Sequence, residues 1–375
     1  MKKLLIASAV SAAFAAPSAA LAQAPRVPTL GQIFDASGIS VNGYIDAGYT
    51  RADRNLEGGA VGGVSTRVFD SQNNSFALHQ FGLSVAKLPK QGFGGLVNVT
   101  VGSDAQVIHS FPELTGAGTS MFDVTQAYGQ YADGALTLIA GKFATLHGTE
   151  VIWSPSNNNI SRSILFGAVP FTHTGVRGTW ALNDRVSLIA GVNNGWDQLT
   201  DQNRSKTIEL GATLNPIKPL NISVSAYSGK DPVPAPATGN GTKTSINAVA
   251  SYNITDLLSV GGELLQVTQD VPVGGGTTSQ KYTGAAGYAS FMFTPKVRGS
   301  LRIEQFDDKD GRRFVTATGT KYRELTATGA YLPADNFEAR AEVRRDQANN
   351  RVFNDFSGAA SKTLTTIALQ GLYKF

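Results

Sequence analysis

Apolar and polar residues alternate along most of this chain with a period of two. The clearest case lies near the C-terminal end, where Phe337, Ala339, Ala341 and Val343 alternate with Glu338, Arg340, Glu342 and Arg344. The same alternation covers 207–214 and 220–227. A period of two places successive side chains on opposite faces of a β-strand, and no segment shows the 3.6-residue period of an amphipathic helix. The pattern therefore predicts an all-β protein.

Two kinds of connection alternate between these strands. Seven are short and contain turn residues, at 88–92, 133–134, 183–184, 215–216, 253–256, 294–295 and 333–336. Eight are longer and rich in Gly, Asn, Asp and Thr, at about 52–73, 105–121, 148–172, 195–205, 230–243, 269–279, 307–320 and 347–360. Seven plus eight connections join about 16 strands, with a range of 14–18. A soluble β-sandwich also alternates, but it has no reason to separate short from long connections. A transmembrane antiparallel up-and-down β-barrel does, with short periplasmic turns and long extracellular loops.

The first 22 residues have the features of a secretory signal peptide. Lys2 and Lys3 precede an apolar run, and Ala20-Leu21-Ala22 forms a cleavage site of the A-x-A type. We therefore expect a signal peptide over 1–22, a short periplasmic segment over 23–38 and an outer-membrane β-barrel over 39–375. Export by a cleaved signal peptide would deliver the chain to the outer membrane of a Gram-negative bacterium.

Aromatic residues support a barrel that spans lipid. If the short turns face the periplasm, seven aromatic side chains point outward at that end: Phe93, Tyr252, Phe293, Tyr331, Phe337, Tyr373 and Phe375. Aromatic rings favour the membrane–water interface, so these residues are expected to form a membrane girdle. The terminal Phe375 also resembles the assembly signal that outer-membrane barrels present to the barrel assembly machinery. Outer-membrane lipid and that machinery are the partners this interpretation implies.

Composition and charge exclude several other classes. The mature net charge is (32−2)−28 = +2, too close to neutral for a nucleic-acid-binding protein. Without cysteine, the chain has neither a disulfide framework nor a thiolate metal site. His147 and Glu150 lack the spacing of a zinc pair, and the acidic turn at 307–311 lacks the later ligand of a calcium loop. We expect no catalytic residues, no metal and no cofactor.

Ionisable residues occupy the opposite parity from the apolar residues on three late strands. They are Arg298, Arg302 and Glu304, then Glu324, then Glu338, Arg340, Glu342 and Arg344. Facing lipid, each Arg near the midplane would cost about 2–4 kcal/mol, so these side chains are expected to face the lumen. There they have two interpretations, which are compatible. They form cross-strand ion pairs along the wall, or they create a transverse field that selects solutes.

The connection at 148–172 has an unusual content for a solvent loop. Its apolar residues include Trp153, Ile160 and Phe166, which favour burial. The lumen is the interior available in a wide barrel, so we expect this loop to fold inward and constrict the pore. The channel would then be lined by Glu150, Asn157, Asn158 and Arg162, with His173 and Arg177 on the inward parity of the next strand. The alternative is an external loop that covers the barrel mouth.

The chain also resembles a known family over roughly 37–197. The matching stretches are Ser37–Asp46, Asn74–Leu78, Gly141–Phe143, Gly148–Glu150, Ser161–Ser163, Pro170–Arg177 and Asn193–Asp197. In these it is similar to the beta-barrel porin-2 (OmpL-like) family of Gram-negative outer-membrane porins. The second half matches as barrel pattern with a terminal Phe. The resemblance implies an outer-membrane barrel with pore activity and no particular substrate, and Glu150, Arg162, His173 and Arg177 fall on positions of the family pattern.

These observations favour a porin that admits small hydrophilic solutes or ions by passive diffusion. A non-conducting structural or adhesive barrel is the first alternative, and an outer-membrane barrel enzyme the second. The sequence leaves a homotrimer open, and it fixes neither the solute nor the sign of ion selectivity.

Overall fold

The computed structural model describes residues 34, 36–56, 66–112, 120–233, 238–314, 316 and 318–375. The expected signal peptide (1–22) and most of the N-terminal segment (23–38) lie outside the described residues. No helix in the described part of the chain is long and apolar enough to cross a membrane.

Strands make up almost all of the regular structure. They are β1 (Ser40–Ala52), β2 (Ser75–Lys87), β3 (Gly92–Val101), β4 (Phe122–Asp133), β5 (Leu136–Ala144), β6 (Thr172–Asn183), β7 (Val186–Asn193), β8 (Thr207–Ile217), β9 (Leu220–Pro232), β10 (Asn240–Asn253), β11 (Leu258–Val273), β12 (Gly276–Thr294), β13 (Val297–Asp308), β14 (Thr320–Ala334), β15 (Phe337–Ala348), β16 (Phe353–Asn354), β17 (Ala360–Ser361) and β18 (Thr363–Lys374). One helical turn, α1 (Ala105–Ile108), and two 3₁₀ turns, Ser154–Ser156 and Phe166–Ala168, complete the set.

Sixteen of these strands close into an antiparallel barrel, in which each strand pairs with its sequence neighbour and β1 closes on β18. The short β16 and β17 pair with each other in the connection between β15 and β18. The expected sixteen-stranded all-β barrel is therefore confirmed. Closure leaves no strand edge unpaired, which is what lipid demands of a spanning sheet.

Two expected connections are placed differently in the structure. The long loop expected at 269–279 is a two-residue turn, because β11 and β12 continue their pairing to Val273 and Gly276. Gly274 and Gly275 have φ of 56° and 83°, which is the conformation that a tight hairpin turn requires and that glycine adopts without strain. The turn expected at 215–216 lies at 218–219, because β8 extends through an irregularity to Ile217.

The two faces of the strands differ as the alternation predicts. On β13, Leu301 and Ile303 are 52% and 60% exposed on the outer face, whereas Arg302 is fully buried on the inner face. The seven aromatic residues of the expected girdle are all exposed on the outer surface near the short turns. Phe375 stacks on Phe81 with ring centroids 6.3 Å apart and lies against the Cα of Gly43.

An apolar core fills part of the lumen at the long-loop end. Ile164 and Leu165 of the connection between β5 and β6 pack among inward side chains of the wall, including Phe306, Tyr322 and Leu265. All five are buried. Apolar inward side chains therefore join the polar ones at the level where this connection enters, which period-two alternation alone did not reveal.

Candidate functional site

The connection between β5 and β6, residues 145–171, crosses the lumen and is called loop 3 here. At its start, His147 makes hydrogen bonds through both ring nitrogens, to Ser225 Oγ of β9 (2.7 Å) and Ser245 Oγ of β10 (2.8 Å). Thr149 N then donates to Glu263 Oε2 of β11 (2.9 Å). These inward side chains direct the chain away from the wall that it has just left and across the barrel.

The middle of loop 3 binds to carboxylates of the opposite wall. Glu342 accepts from the consecutive backbone N–H groups of residues 160–161, at 2.6 and 2.9 Å. Glu304 accepts in the same way from residues 164–165, at 2.8 and 2.6 Å. Each carboxylate thereby satisfies two backbone donors that have no strand partner. A carboxyl group that accepts from an N–H in its ionised form makes a stronger hydrogen bond than a neutral acceptor does.

Arginines of the same wall bind the loop carbonyls. Arg302 Nη1 donates to Ser161 O (2.8 Å), and Arg344 Nη1 donates to Arg162 O. A buried, irregular backbone must find partners for every N–H and C=O. The wall supplies both kinds, so we call the inward residues Arg302, Glu304, Arg340, Glu342 and Arg344 the docking strip. The sequence predicted ion pairs or an open field at these positions and missed the loop as their partner.

Ion pairs join the docking strip to loop 3, to β14 and to the first long loop. Arg302 is bonded to Glu150 Oε1 of loop 3 (2.6 Å) and to Glu324 Oε2 of β14 (2.9 Å). Arg344 is bonded to Asp346 (2.8 Å), which also pairs with Arg67 of the first long loop (2.8 Å). The first and third long loops are therefore fixed to one side of the barrel.

Arg162 holds the shape of loop 3 from within. Its guanidinium donates to the carbonyls of Val151 and Ile160, both at 3.0 Å, and lies 5.3 Å from the ring centroid of Phe69. Burial lowers the pKa of Arg162, and Glu150 opposes that shift. For Glu150 burial alone would raise the pKa, but Arg302 and Arg162 bring it below its ordinary value.

The expected exposure of the loop residues is therefore wrong for three of four. Glu150, Asn157 and Arg162 are 7%, 4% and 1% exposed, and Asn157 bonds to loop atoms such as Val151 N (3.0 Å). The physical reason is that a loop inside a lumen must satisfy its own backbone first. Asn158 is exposed.

His173 and Arg177 lie on the inward face of β6, as the parity predicts, and both are buried. His173 Nδ1 bonds to the carbonyl oxygen of Gly195 (2.9 Å). Arg177 Nη2 donates to Glu209 Oε2 (3.0 Å), and its guanidinium lies 4.2 Å from the ring centroid of Phe143. Both residues brace the wall where loop 3 leaves it.

Arg298 differs from the other predicted inward charges because its side chain remains 15% exposed. It pairs with Glu338, which also accepts from Arg340 Nη2 at 3.0 Å. This pair lies at the short-turn end, below the docking strip. Among the inward charges predicted on β13–β15, Arg298 is the one that the structure leaves partly open to the lumen.

A cavity of about 620 Å³ lies between loop 3 and the wall formed by β1–β4. On the wall side, β1–β4 contribute the neutral polar residues Asn42, Ser84, Asn98, Thr125 and Gln126, and the adjoining β18 contributes Lys374. Its loop side carries Ile152, Trp153, Pro170 and Phe171. The sequence shows that the wall residues of β1–β4 are polar and inward, but the prediction of lumen residues was based on ionisable side chains and did not include them. This side of the lumen is open where the docking strip side is filled.

The fold is similar to solved outer-membrane channels. The outer-membrane channel DcaP of Acinetobacter baumannii is 14% identical, with a TM-score of 0.62 over 90% of this chain and 97% of that one. The trimer form of OmpT of Vibrio cholerae is 10% identical, with a TM-score of 0.59 over 90% and 99%. An anion-selective porin from Comamonas acidovorans is 10% identical, with a TM-score of 0.58 over 90% and 99%. At these identities the likeness is one of fold.

A search of curated protein sequences found no match. A family model matches residues 38–375, which is nearly the whole expected mature chain and extends well beyond the stretch over which the sequence showed a resemblance. That model describes the outer-membrane barrels of OmpL type, in agreement with the sixteen-stranded closed sheet. The chain belongs to the beta-barrel porin-2, OmpL-like family.

Proposed function

We propose that this porin is a passive channel for small hydrophilic solutes or ions in the outer membrane, and that loop 3 constricts its lumen. The observation that carries the proposal is the attachment of loop 3 to the docking strip on one side, opposite a cavity of about 620 Å³. A bound loop narrows the path, and the cavity beside β1–β4 leaves a side along which solutes can pass.

Planar-bilayer recording of the purified, refolded chain tests this function. A stable open conductance supports a channel, whereas absence of conductance at every salt concentration would refute it. Deletion of residues 150–165 should then increase the conductance, because those residues fill the lumen. An unchanged conductance would contradict the constricting role of loop 3 without affecting the channel assignment.

A non-conducting structural barrel is the second candidate, and one observation favours it. The apolar core at the long-loop end joins loop 3 to several strands, including Leu165 to Phe306 and Leu265. A core of this kind stabilises a barrel whether or not water passes beside it. The bilayer experiment separates the two candidates, since this one has no conductance even after reconstitution.

We further propose that the signal peptide is cleaved, that the barrel acts without enzymatic activity, and that Phe375 takes part in assembly. The ring of Phe375 covers Gly43 across the β1–β18 closure, and stacks on Tyr373 with centroids 6.2 Å apart. A homotrimer is consistent with the trimer form of the structurally similar OmpT. Sedimentation of the detergent-solubilised protein would distinguish a trimer from a monomer.

A further inference from the structure

Three arginines lie together on the outer surface at the long-loop end of the barrel. Arg51, Arg323 and Arg345 occupy outward positions of β1, β14 and β15, and all three are exposed. Arg345 lies opposite Leu325 in the register of β14 and β15, so it is a diagonal neighbour of Arg323, within about 7–8 Å. Arg51 lies two strands further round the barrel from Arg345, on the far side of β18. We call these residues the arginine cluster.

The height of the arginine cluster follows from strand geometry. Arg345 is eight residues from Phe337 along β15, and Arg323 is eight residues from Tyr331 along β14. Eight residues span roughly 27 Å along an antiparallel strand. A tilt of about 40° reduces this to about 20 Å of height, against an apolar band of about 25 Å between the two interfaces. Since an Arg side chain extends further toward water, the guanidinium groups of Arg323 and Arg345 reach the outer headgroup level.

Within the part of the chain that the structure describes, no carboxylate neutralises the positive charge of the cluster. Among the described residues, no carboxylate oxygen lies within 4.0 Å of Arg51, Arg323 or Arg345. The acids nearby have other partners: Asp307 pairs with Lys321 (3.6 Å), and Asp53 Oδ1 accepts from Thr365 N (2.8 Å). A guanidinium at the boundary of lipid therefore lacks the anion that such a group needs.

The cluster is confined to one sector of the barrel. Across the barrel, on β6–β8, the outward residues near the long loops are apolar and exposed: Val176, Val192 and Ile208. A general preference for cations at this level would place them on these strands as well. One sector with three exposed guanidinium groups instead matches a discrete ligand that carries several negative charges.

We propose that the arginine cluster binds the phosphate groups of a phosphorylated lipid in the outer leaflet. Guanidinium groups bind phosphate oxygens through paired N–H donors, and their planar fork suits this geometry better than an ammonium does. The apolar surface below the cluster, with Leu325 and Val343 exposed, provides contact for acyl chains. This site depends on the outer-membrane location in the proposed function but not on conductance.

The test uses the full refolded chain and three variants: R323Q/R345Q, R51Q/R323Q/R345Q and the control R185Q, which lies in a short turn at the other end of the barrel. Native mass spectrometry in detergent measures adducts with bisphosphorylated lipid A. Loss of each Arg should weaken the adduct about tenfold, the change expected for one charge-assisted hydrogen bond. Thermal unfolding in phosphatidylcholine vesicles, with and without lipid A, should show a lipid-dependent rise that the triple variant lacks.

Each alternative gives a different result. An unchanged adduct and an unchanged lipid-dependent rise in the folded triple variant would overturn the proposal, as would equal losses in R185Q. An equal stabilisation by inorganic phosphate without lipid A would identify a free-anion site and overturn the lipid assignment. A variant that dissociates from an oligomer to a monomer without losing the adduct would show that the cluster is a protein contact.

Discussion

Substitution of Glu342 by Gln should release loop 3 from the docking strip. Glu342 is 3% exposed and accepts from the N–H groups of residues 160–161. Glutamine keeps the volume but has one acceptor oxygen, so its NH₂ group must face one of these donors. Two charge-assisted bonds of roughly 1.5–3 kcal/mol each are replaced by one neutral bond of about 1 kcal/mol. A net loss of about 3 kcal/mol raises the population of the released loop about 100-fold.

Trypsin cleavage after Arg162 measures this population. Arg162 is 1% exposed in the bound loop, so its peptide bond becomes accessible only when the loop is released. When opening and closing are fast, the cleavage rate follows the open population. Quantification of the new termini by mass spectrometry should therefore show cleavage about 100-fold faster in E342Q. Cleavage at exposed loop sites serves as an internal reference.

Glu338 provides the matched control. It lies four residues before Glu342 on the same inward face and is equally buried, but its hydrogen bonds go to Arg298 and Arg340. E338Q removes comparable charge from the lumen and reaches loop 3 only through Arg340, whose one hydrogen bond to the loop, to Asn159 O, is long at 3.5 Å. If E342Q is cleaved after Arg162 no faster than E338Q, the carboxylate–loop bonds do not hold the loop, and the reasoning from the docking strip fails.

Three further predictions concern other parts of the barrel. R298E should shift the reversal potential in a salt gradient toward cation selectivity, because Arg298 is partly open to the lumen. The folded R302M should leave the reversal potential unchanged, because Arg302 is fully buried and its charge does not face the pore. Equal shifts in the two variants would contradict this placement. G43A should reduce the free energy of unfolding by about 1–3 kcal/mol, because a Cβ would lie 2.4 Å from the ring of Phe375 and overpack that site. The measurement is a lower melting temperature in detergent, and G329A, with open space around it, is the control. Burial, aided by His173, lowers the pKa of His147 to about 3, so the stability from neutral His147 is present above pH 6.5 and is lost as the pH falls below it. Between pH 7 and 5 this amounts to about 2 kcal/mol, and chemical unfolding of H147Q should lack that share of the pH dependence.

The sequence by itself determined the barrel. Alternation is a local property, so it identifies strands wherever one face meets lipid, as Leu301 and Ile303 do beside Arg302. Strand number and the alternation of short and long connections followed from turn residues, which are also local. Errors arose where local signals were ambiguous. Gly274 and Gly275 suggest either a flexible loop or a tight turn, and the pairing of β11 with β12 decided for the turn.

Only the tertiary structure decided what the inward charges contact. Parity showed that Glu304, Arg302 and Glu342 face the lumen, but their partners lie about 140–180 residues away in loop 3. No local pattern encodes such a pairing, because the loop contributes backbone N–H and C=O groups, which are present in every residue whatever its side chain. The burial of Arg162, which the sequence placed in the channel, has the same cause. Residues in the lumen are set by long-range contacts, whereas the lipid-facing surface is set by the solvent that each strand meets.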